Sequence, residues 1–321
     1  MSKPTVQSPN LFVEFHALVS HAPSNLNRDD LGSPKSCVFG GVRRLRISSQ
    51  CLKRAWRTSE WFRGAFAEDQ LGVRTSTVPQ VVLDALKKSP LTDAAREGLL
   101  ALFDSLGKKD KTSSTSDGDD DEEAGPDDQK APAEKTEGAR AETAHLLFVT
   151  QEEIGALVTF AKAKAKDLER VYTTKGKKVT KDGDVIKKIR KDLQAHMEET
   201  CARNAVDIAL FGRFLTSDEF AECDAAMQVA HALGTEPAEI TYDYFTAVDD
   251  RSQETGAGHL GETELASSVF YKYAVCDFQS LAASLTRGTT RISGRDVETA
   301  AKAMGAMAQA IAGPCPPGRR T

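Results

Sequence analysis

The stretch FGGVRRLRISSQCLKRAWR, Phe39 to Arg57, holds six positive side chains and no acid. The 321-residue chain nevertheless carries a formal net charge of -5. The excess of acid is local. Asp117, Asp119, Asp120, Asp121, Glu122, Glu123, Asp127 and Asp128 crowd into one short segment without a base, and with those eight set aside the remaining residues sum to +3. A mildly basic body with concentrated positive charge points to an anionic partner.

Within the stretch, Ile47 closes a short extended piece, and Ser48 or Ser49 is suited to cap the helix that follows. Cys51 with Ala55 and Leu52 with Trp56 stand four residues apart and give that helix an apolar stripe. Lys53 and Arg57 share another face, with Arg54 beside them. Unpaired N–H groups at a helix start, serine hydroxyls and cations one turn later suit phosphate oxygens. A solvated amphipathic helix has the same composition, but Arg43, Arg44 and Arg46 on the entering segment favour a polyanion.

Upstream, LFVEFHALV (Leu11 to Val19) alternates as a half-buried strand, with Val13, Phe15, Ala17 and Val19 on its apolar face. A polar loop, HAPSNLNRDDLGSPKS, follows. His16 and His21 read as an ordinary strand histidine and a loop histidine. Residues from about Thr58 to Thr200 show helical spacing in VPQVVLDALKKS, DAAREGLLALFDSLG, QEEIGALVTFAKAKAKDLERVY and DVIKKIRKDLQAHMEET. Between them Lys108 to Glu142 has too little apolar area to offset its ordering entropy and is expected to be disordered. Lys175, Lys177, Lys178 and Lys181 surround Gly176 and Gly183 as a solvated basic turn. Strand character returns at Ala205–Phe214, Ala225–Gly234 and Ser267–Phe278, and an Ala-rich helix stops at Gly313-Pro314.

Other functions find little support. The six cysteines show no paired spacing, which argues against a zinc site and fits reduced thiols in a cytoplasmic protein. No apolar run reaches membrane-spanning length, and the opening residues lack a signal-peptide core. Gly256, Gly258 and Gly261 spell G-x-G-x-x-G, but neither the strand before nor the helix after is present, so a loop tip explains them better. Asp29-Asp30 and Asp249-Asp250, the latter with Glu262 and Glu264 nearby, pair carboxylates without a legible catalytic partner. No cofactor or metal is expected.

SNLNRDDLGSPKSCVFGGVRRLRISSQCLKRAWR (Ser24 to Arg57), VDIALFGRF, AAMQVAHALGT and DYFTAVDDRSQETGAGHLGETELASSVFYKYA occur in that order. Together they resemble the backbone subunit of the type I-E CRISPR effector complex, Cascade: CasC, of the Cas-seven group of repeat-associated RNA-binding proteins. The resemblance implies an α+β fold with an RRM/ferredoxin-like palm (1–58, 201–234 and 267–313), a helical fingers insertion (59–200, with the acidic loop at about 108–142) and an extended thumb (235–266). It implies a non-catalytic role: several copies line up along the spacer of one crRNA, beside other Cascade subunits, and present it to target DNA. It places Arg28, Ser48, Gln50, Lys53, Arg54 and Arg57 on RNA-contacting positions, to which the charge reading adds Arg46. Phe214 matches an apolar position beside the RNA kink, and Phe245 and Thr246 match the thumb residues at it. Backbone subunits of type III complexes instead cut target RNA with an aspartate after the first strand, which makes Asp29 or Asp30 the alternative; a DNA-binding or purely structural oligomer is a third class. The family chain continues past the last helix, whereas here PCPPGRRT (314–321) follows and resembles nothing in the family. The expectation is a sheet lacking its last strand, with an unpaired edge and lowered stability.

Overall fold

Alternating side chains at both ends of the sequence meet as neighbouring strands. The computed structural model describes residues 11–88, 91–106, 143, 146–175, 178–214, 218–247, 259–287, 292–313, 316 and 319–320. In chain order the first elements are β1 (Phe12–Asn25), β2 (Ser36–Phe39), β3 (Val42–Ile47), α1 (Ser49–Arg57) and α2 (Glu60–Arg63). Then come β4 (Val73–Thr75), α3 (Val78–Ala85), α4 (Asp93–Ser105), β5 (Leu147–Val149), α5 (Gln151–Ala163), α6 (Ala165–Leu168), β6 (Tyr172–Lys175), β7 (Lys178–Lys181) and α7 (Gly183–Thr200). The last are α8 (Val206–Phe211), β8 (Met227–Val229), β9 (Ala232–Gly234), β10 (Ile240–Ala247), β11 (His259–Asp277), α9 (Phe278–Ser284), α10 (Gly294–Ala312) and β12 (Arg319–Arg320).

The result is a mixed helix-and-sheet protein with an antiparallel sheet ordered β12-β1-β11-β9-β3-β2, to which β8 and β10 add by pairing with β11. The β1–β11 ladder runs from Phe12 opposite Asp277 to His21 opposite Ser268, then shifts register before Ser24 meets Ala266. Val13, Phe15 and Ala17 face the core, while Phe12, Glu14, His16 and Leu18 are exposed, as the alternation in LFVEFHALV requires. Gly40 and Gly41 both take positive φ, 63° and 77°, between the paired Phe39 and Val42. That is the two-residue hairpin geometry that glycine permits.

One face of the sheet is covered by helices. Leu45, Ile47, Phe270, Ala274 and Cys276 pack with Leu52 and Trp56 of α1, Ala209 and Leu210 of α8, Leu281 of α9, and Ala303 and Met307 of α10. A second core lies in the helical body, among Val82, Leu99, Phe103, Leu157, Phe160, Ile189 and Leu193. These helices stand where the spacing predicts them; the small β4–β5 and β6–β7 pairs inside that body have no counterpart in the sequence pattern.

Three expectations need correction. Ala205–Phe214 contains a helix, α8, rather than a strand. All of Val206 to Leu210 are buried, and a segment buried on every side shows no periodicity to distinguish the two. β1 continues through His21, Pro23 and Asn25, so the loop after it is shorter; Pro23 is tolerated because β1 lies near the sheet's edge. The tail is not devoid of strand: Arg320 and Arg319 pair with Ser24 and Asn25. Among the described residues no strand pairs with the outer edge of β1 between Phe12 and Pro23. The segment expected to be disordered lies outside the described residues, as do Asp249-Asp250, Gly256 and Gly258.

Buried charges join the two cores. Glu153 of α5, fully buried, accepts from Arg213 at 2.9 Å and from Arg287 at 2.5 Å, and its carboxylate also caps its own helix through Thr150 N. Arg213 further donates to the carbonyls of Phe148 and Ala221. Burial alone would raise the pKa of Glu153, but the two guanidiniums and the Thr150 N–H outweigh it and hold the group below its ordinary 4.5. The stability this carboxylate contributes is therefore complete above about pH 4.5 and is lost as pH falls through the depressed folded value. Arg213→Met, which strands part of that charge, is expected to cost about 3–5 kcal/mol in urea unfolding. The wild-type urea midpoint should decline below pH 4.5 more steeply than that of Glu153→Gln; parallel profiles would contradict this account.

Candidate nucleic-acid interface

The basic stretch folds into a ledge at the start of α1. Ser48 is the N-cap, and its hydroxyl accepts from Cys51 N at 3.3 Å. The loop after β1 folds back against it. Asn27 Oδ1 accepts from Ser48 N at 2.8 Å, Asn27 O accepts from Lys35 N, and Lys35 O accepts from Arg46 N. Asp29 closes a turn inside this loop, its Oδ1 accepting from Leu31 N at 3.0 Å and Ser33 N at 2.9 Å. On the far side, His231 Nδ1 accepts from Ser49 N at 3.1 Å. Burial, and then the charges of Arg46 and Lys35, push the His231 pKa down, which keeps the imidazole neutral and able to accept.

These bonds alter the reading of the helix start. The N–H groups of Ser48, Ser49 and Cys51 are taken by Asn27, His231 and Ser48, so these three amides are already engaged within the chain. Arg28 and Gln50 are exposed, Arg46 is half-buried on the sheet, and Lys53 and Arg54 follow on the first turns of α1, Arg54 exposed. Loop, strand end and helix thus bring Arg28, Arg46, Ser48, Gln50, Lys53 and Arg54 to one region. Asp30 is exposed in the same loop.

Arg57 is placed differently. Its guanidinium lies 3.6 Å from the buried Asp207 carboxylate and 5.0 Å above the Phe148 ring. Burial lowers the Arg57 pKa and raises that of Asp207; the Gly72 N–H bond opposes the shift of Asp207, and the mutual attraction of the pair opposes both. This cation is held between the sheet and the helical body.

Two apolar candidates stand on separate elements. Phe214, just past α8, is 80% exposed. β10 and the first part of β11 form a two-stranded arm, registered from Ile240 opposite Ala266 to Ala247 opposite His259. On it Phe245 faces Gly261 across the ladder, and a Cβ on Gly261 would meet the ring at 2.2 Å. The third glycine of G-x-G-x-x-G is therefore the floor beneath Phe245 and belongs to no phosphate loop. Thr246 is opposite Leu260 in the same ladder. Tyr242 and Tyr244, exposed on the other side of the arm, escaped the sequence reading, although the alternation in ITYDYFTA marks a strand with aromatic residues on both faces. Among the described residues there is no cluster of His, Cys, Asp or Glu suited to a metal ion, and no helix is long and apolar enough to cross a membrane.

An α+β protein built on an antiparallel sheet with a helical body and a two-stranded arm is an architecture with solved counterparts. A chain of a structure described as "CRISPR RNA-guided surveillance complex, pre-nicking" superposes with a TM-score of 0.68 at 27% identity, over 96% of this chain and 73% of that one. A chain of a second, described as "CRISPR RNA-guided surveillance complex", does so at 0.58 and 24% identity, over 95% and 73%. No curated protein matches the sequence at a significant level. The model of the CT1975-like protein family matches residues 13–321, and the chain belongs to that family.

The ion pair and the ledge predict different phenotypes. Arg57→Ala leaves Asp207 buried without its cation and should cost about 3 kcal/mol in urea unfolding. Arg54→Ala, on an exposed face, should change stability by less than about 0.5 kcal/mol. Equal losses would show that the guanidinium of Arg57 is not held by Asp207.

Proposed function

We propose that this protein is a non-catalytic, guide-RNA-binding backbone subunit of a CRISPR surveillance complex of type I-E, several copies of which follow the crRNA spacer and present it to target DNA. The observation that carries the proposal is the ledge, where a loop, a strand end and a helix gather Arg28, Arg46, Lys53 and Arg54 in a chain of net charge -5. Family membership and the likeness to a chain of an RNA-guided surveillance complex support it. In this reading the sheet with α1 and α8–α10 is an RRM-like palm, the helical body is the fingers, and the β10–β11 arm is the thumb. Other copies of the chain and other Cascade subunits are its protein partners, and the complex works in the cytoplasm.

Phosphate contacts hold a strand without reading its letters, as a subunit serving any spacer requires. Phe245 on the arm, with Thr246 next to it, and Phe214 by α8 offer apolar surface to bases at a kink. The scaffold reading is favoured over RNA cleavage by Asp29, whose carboxylate oxygen is occupied by the turn N–H groups of Leu31 and Ser33.

Lys53→Ala with Arg54→Ala is expected to weaken binding to single-stranded RNA of any sequence. It should also lower the slope of log affinity against log salt by about 0.7 for each phosphate no longer neutralised. An unchanged slope would remove these residues from the interface. Incubating the assembled complex with complementary RNA and Mg²⁺ should leave the RNA intact. Regularly spaced fragments that disappear in Asp29→Ala or Asp30→Ala would establish the nuclease instead.

A further inference from the structure

The side of the sheet opposite the helices carries a set of fixed rings. Tyr271 of β11 is 40% exposed, and Tyr273 is half-buried two residues on. On β1, His16 Nδ1 lies 2.7 Å from the Tyr271 hydroxyl, and the two rings stack with centroids 6.1 Å apart and planes 28° apart. His16 also tilts against Tyr273 at 5.0 Å. On this side Glu14 is engaged with His16 Nε2 at 3.1 Å, and Asp277 with the N–H groups of Gln279 and Ser280 at the start of α9.

Strand register carries this set to the ledge. Leu18 faces Tyr271, Tyr271 faces Leu233, and Leu233 faces Arg46. Directly opposed residues of antiparallel strands lie on the same side of a sheet. Strands lie about 4.8 Å apart, so two strand spacings, about 10 Å, separate Arg46 from Tyr271. Among the described residues none accepts a hydrogen bond from the buried Arg46 Nε.

We infer that this open sheet face is a base-stacking platform: a single-stranded RNA with its phosphates on the ledge lays a base on Tyr271, whose ring is held in place by His16 and Tyr273. The inference rests on the RNA-binding function proposed above and adds to it a second kind of contact. Stacking on an aromatic face accepts every base, so the platform raises affinity without imposing sequence. The row ends at Arg46, beside the basic residues of the ledge, and this continuity favours a polyanion carrying bases as the occupant.

Two probes separate the contacts: a labelled oligouridylate, and an abasic ribose-phosphate oligomer of the same length, each titrated with the full chain by fluorescence anisotropy. Tyr271→Ala should weaken oligouridylate binding about tenfold with an unchanged salt slope, and leave abasic binding as it was. Tyr271→Phe, which keeps the ring, should bind like the wild type. Tyr271→Leu keeps the apolar bulk and should show the same loss even if Tyr271→Ala folds poorly. Wild-type affinity in Tyr271→Leu, with Lys53→Ala/Arg54→Ala still impaired, would overturn the platform and leave the RNA-binding function standing. A wild-type protein that binds neither probe would overturn that function and the platform with it. Loss of self-association in sedimentation, with RNA affinity intact, would assign the face to a second copy and also overturn the inference.

Discussion

Strand β11 constrains everything around it. It is 19 residues long and pairs with β1 on one side and with β8, β9 and β10 on the other. A slip of one residue would turn Phe270, Ala274 and Cys276 out of the core and bring Tyr271 and Tyr273 into it. The same register fixes the arm, because Phe245 has room only where it meets a glycine. One strand therefore sets the covered face, the open face and the position of the aromatic residue on the arm.

Charge is divided by environment. Glu153, Arg213, Arg287, Asp207 and Arg57 lie inside and join the sheet to the helical body through short ion pairs. Such groups are costly to leave alone and fix geometry more than they add net stability. Arg28, Gln50 and Arg54 remain exposed, where a polyanion can reach them. The ledge stays open because its own backbone bonds close locally: Asn27 and His231 satisfy the helix start, and Asp29 satisfies its turn.

What could be read beforehand followed physical visibility. LFVEFHALV and SSVFYKYAVCDF declared themselves because each has one covered and one open face. A cap at Ser48 or Ser49 declared itself because hydroxyl, apolar stripe and spacing agree, and the fold uses Ser48. AVDIALF did not, since five consecutive buried residues lose the periodicity that separates helix from strand. The basic ledge was visible as composition, yet its internal wiring was not: the partners of Ser49 and Arg57 are His231 and Asp207, brought close only by the fold. Gly261, which its neighbours assigned to a loop tip, instead lies in a strand with Phe245 across from it. The rings of the open face were legible as an aromatic strand, but their distance from Arg46 depends on β9 lying between β3 and β11.

Photo-crosslinking the purified full chain to 4-thiouridine-containing RNA, with adducts mapped by mass spectrometry, tests the central claim most directly. Adducts are expected on peptides of the loop and helix around Arg28 and Ser48–Arg57, and on the arm at Phe245. Adducts confined to the helical body between Gln151 and Thr200 would contradict it.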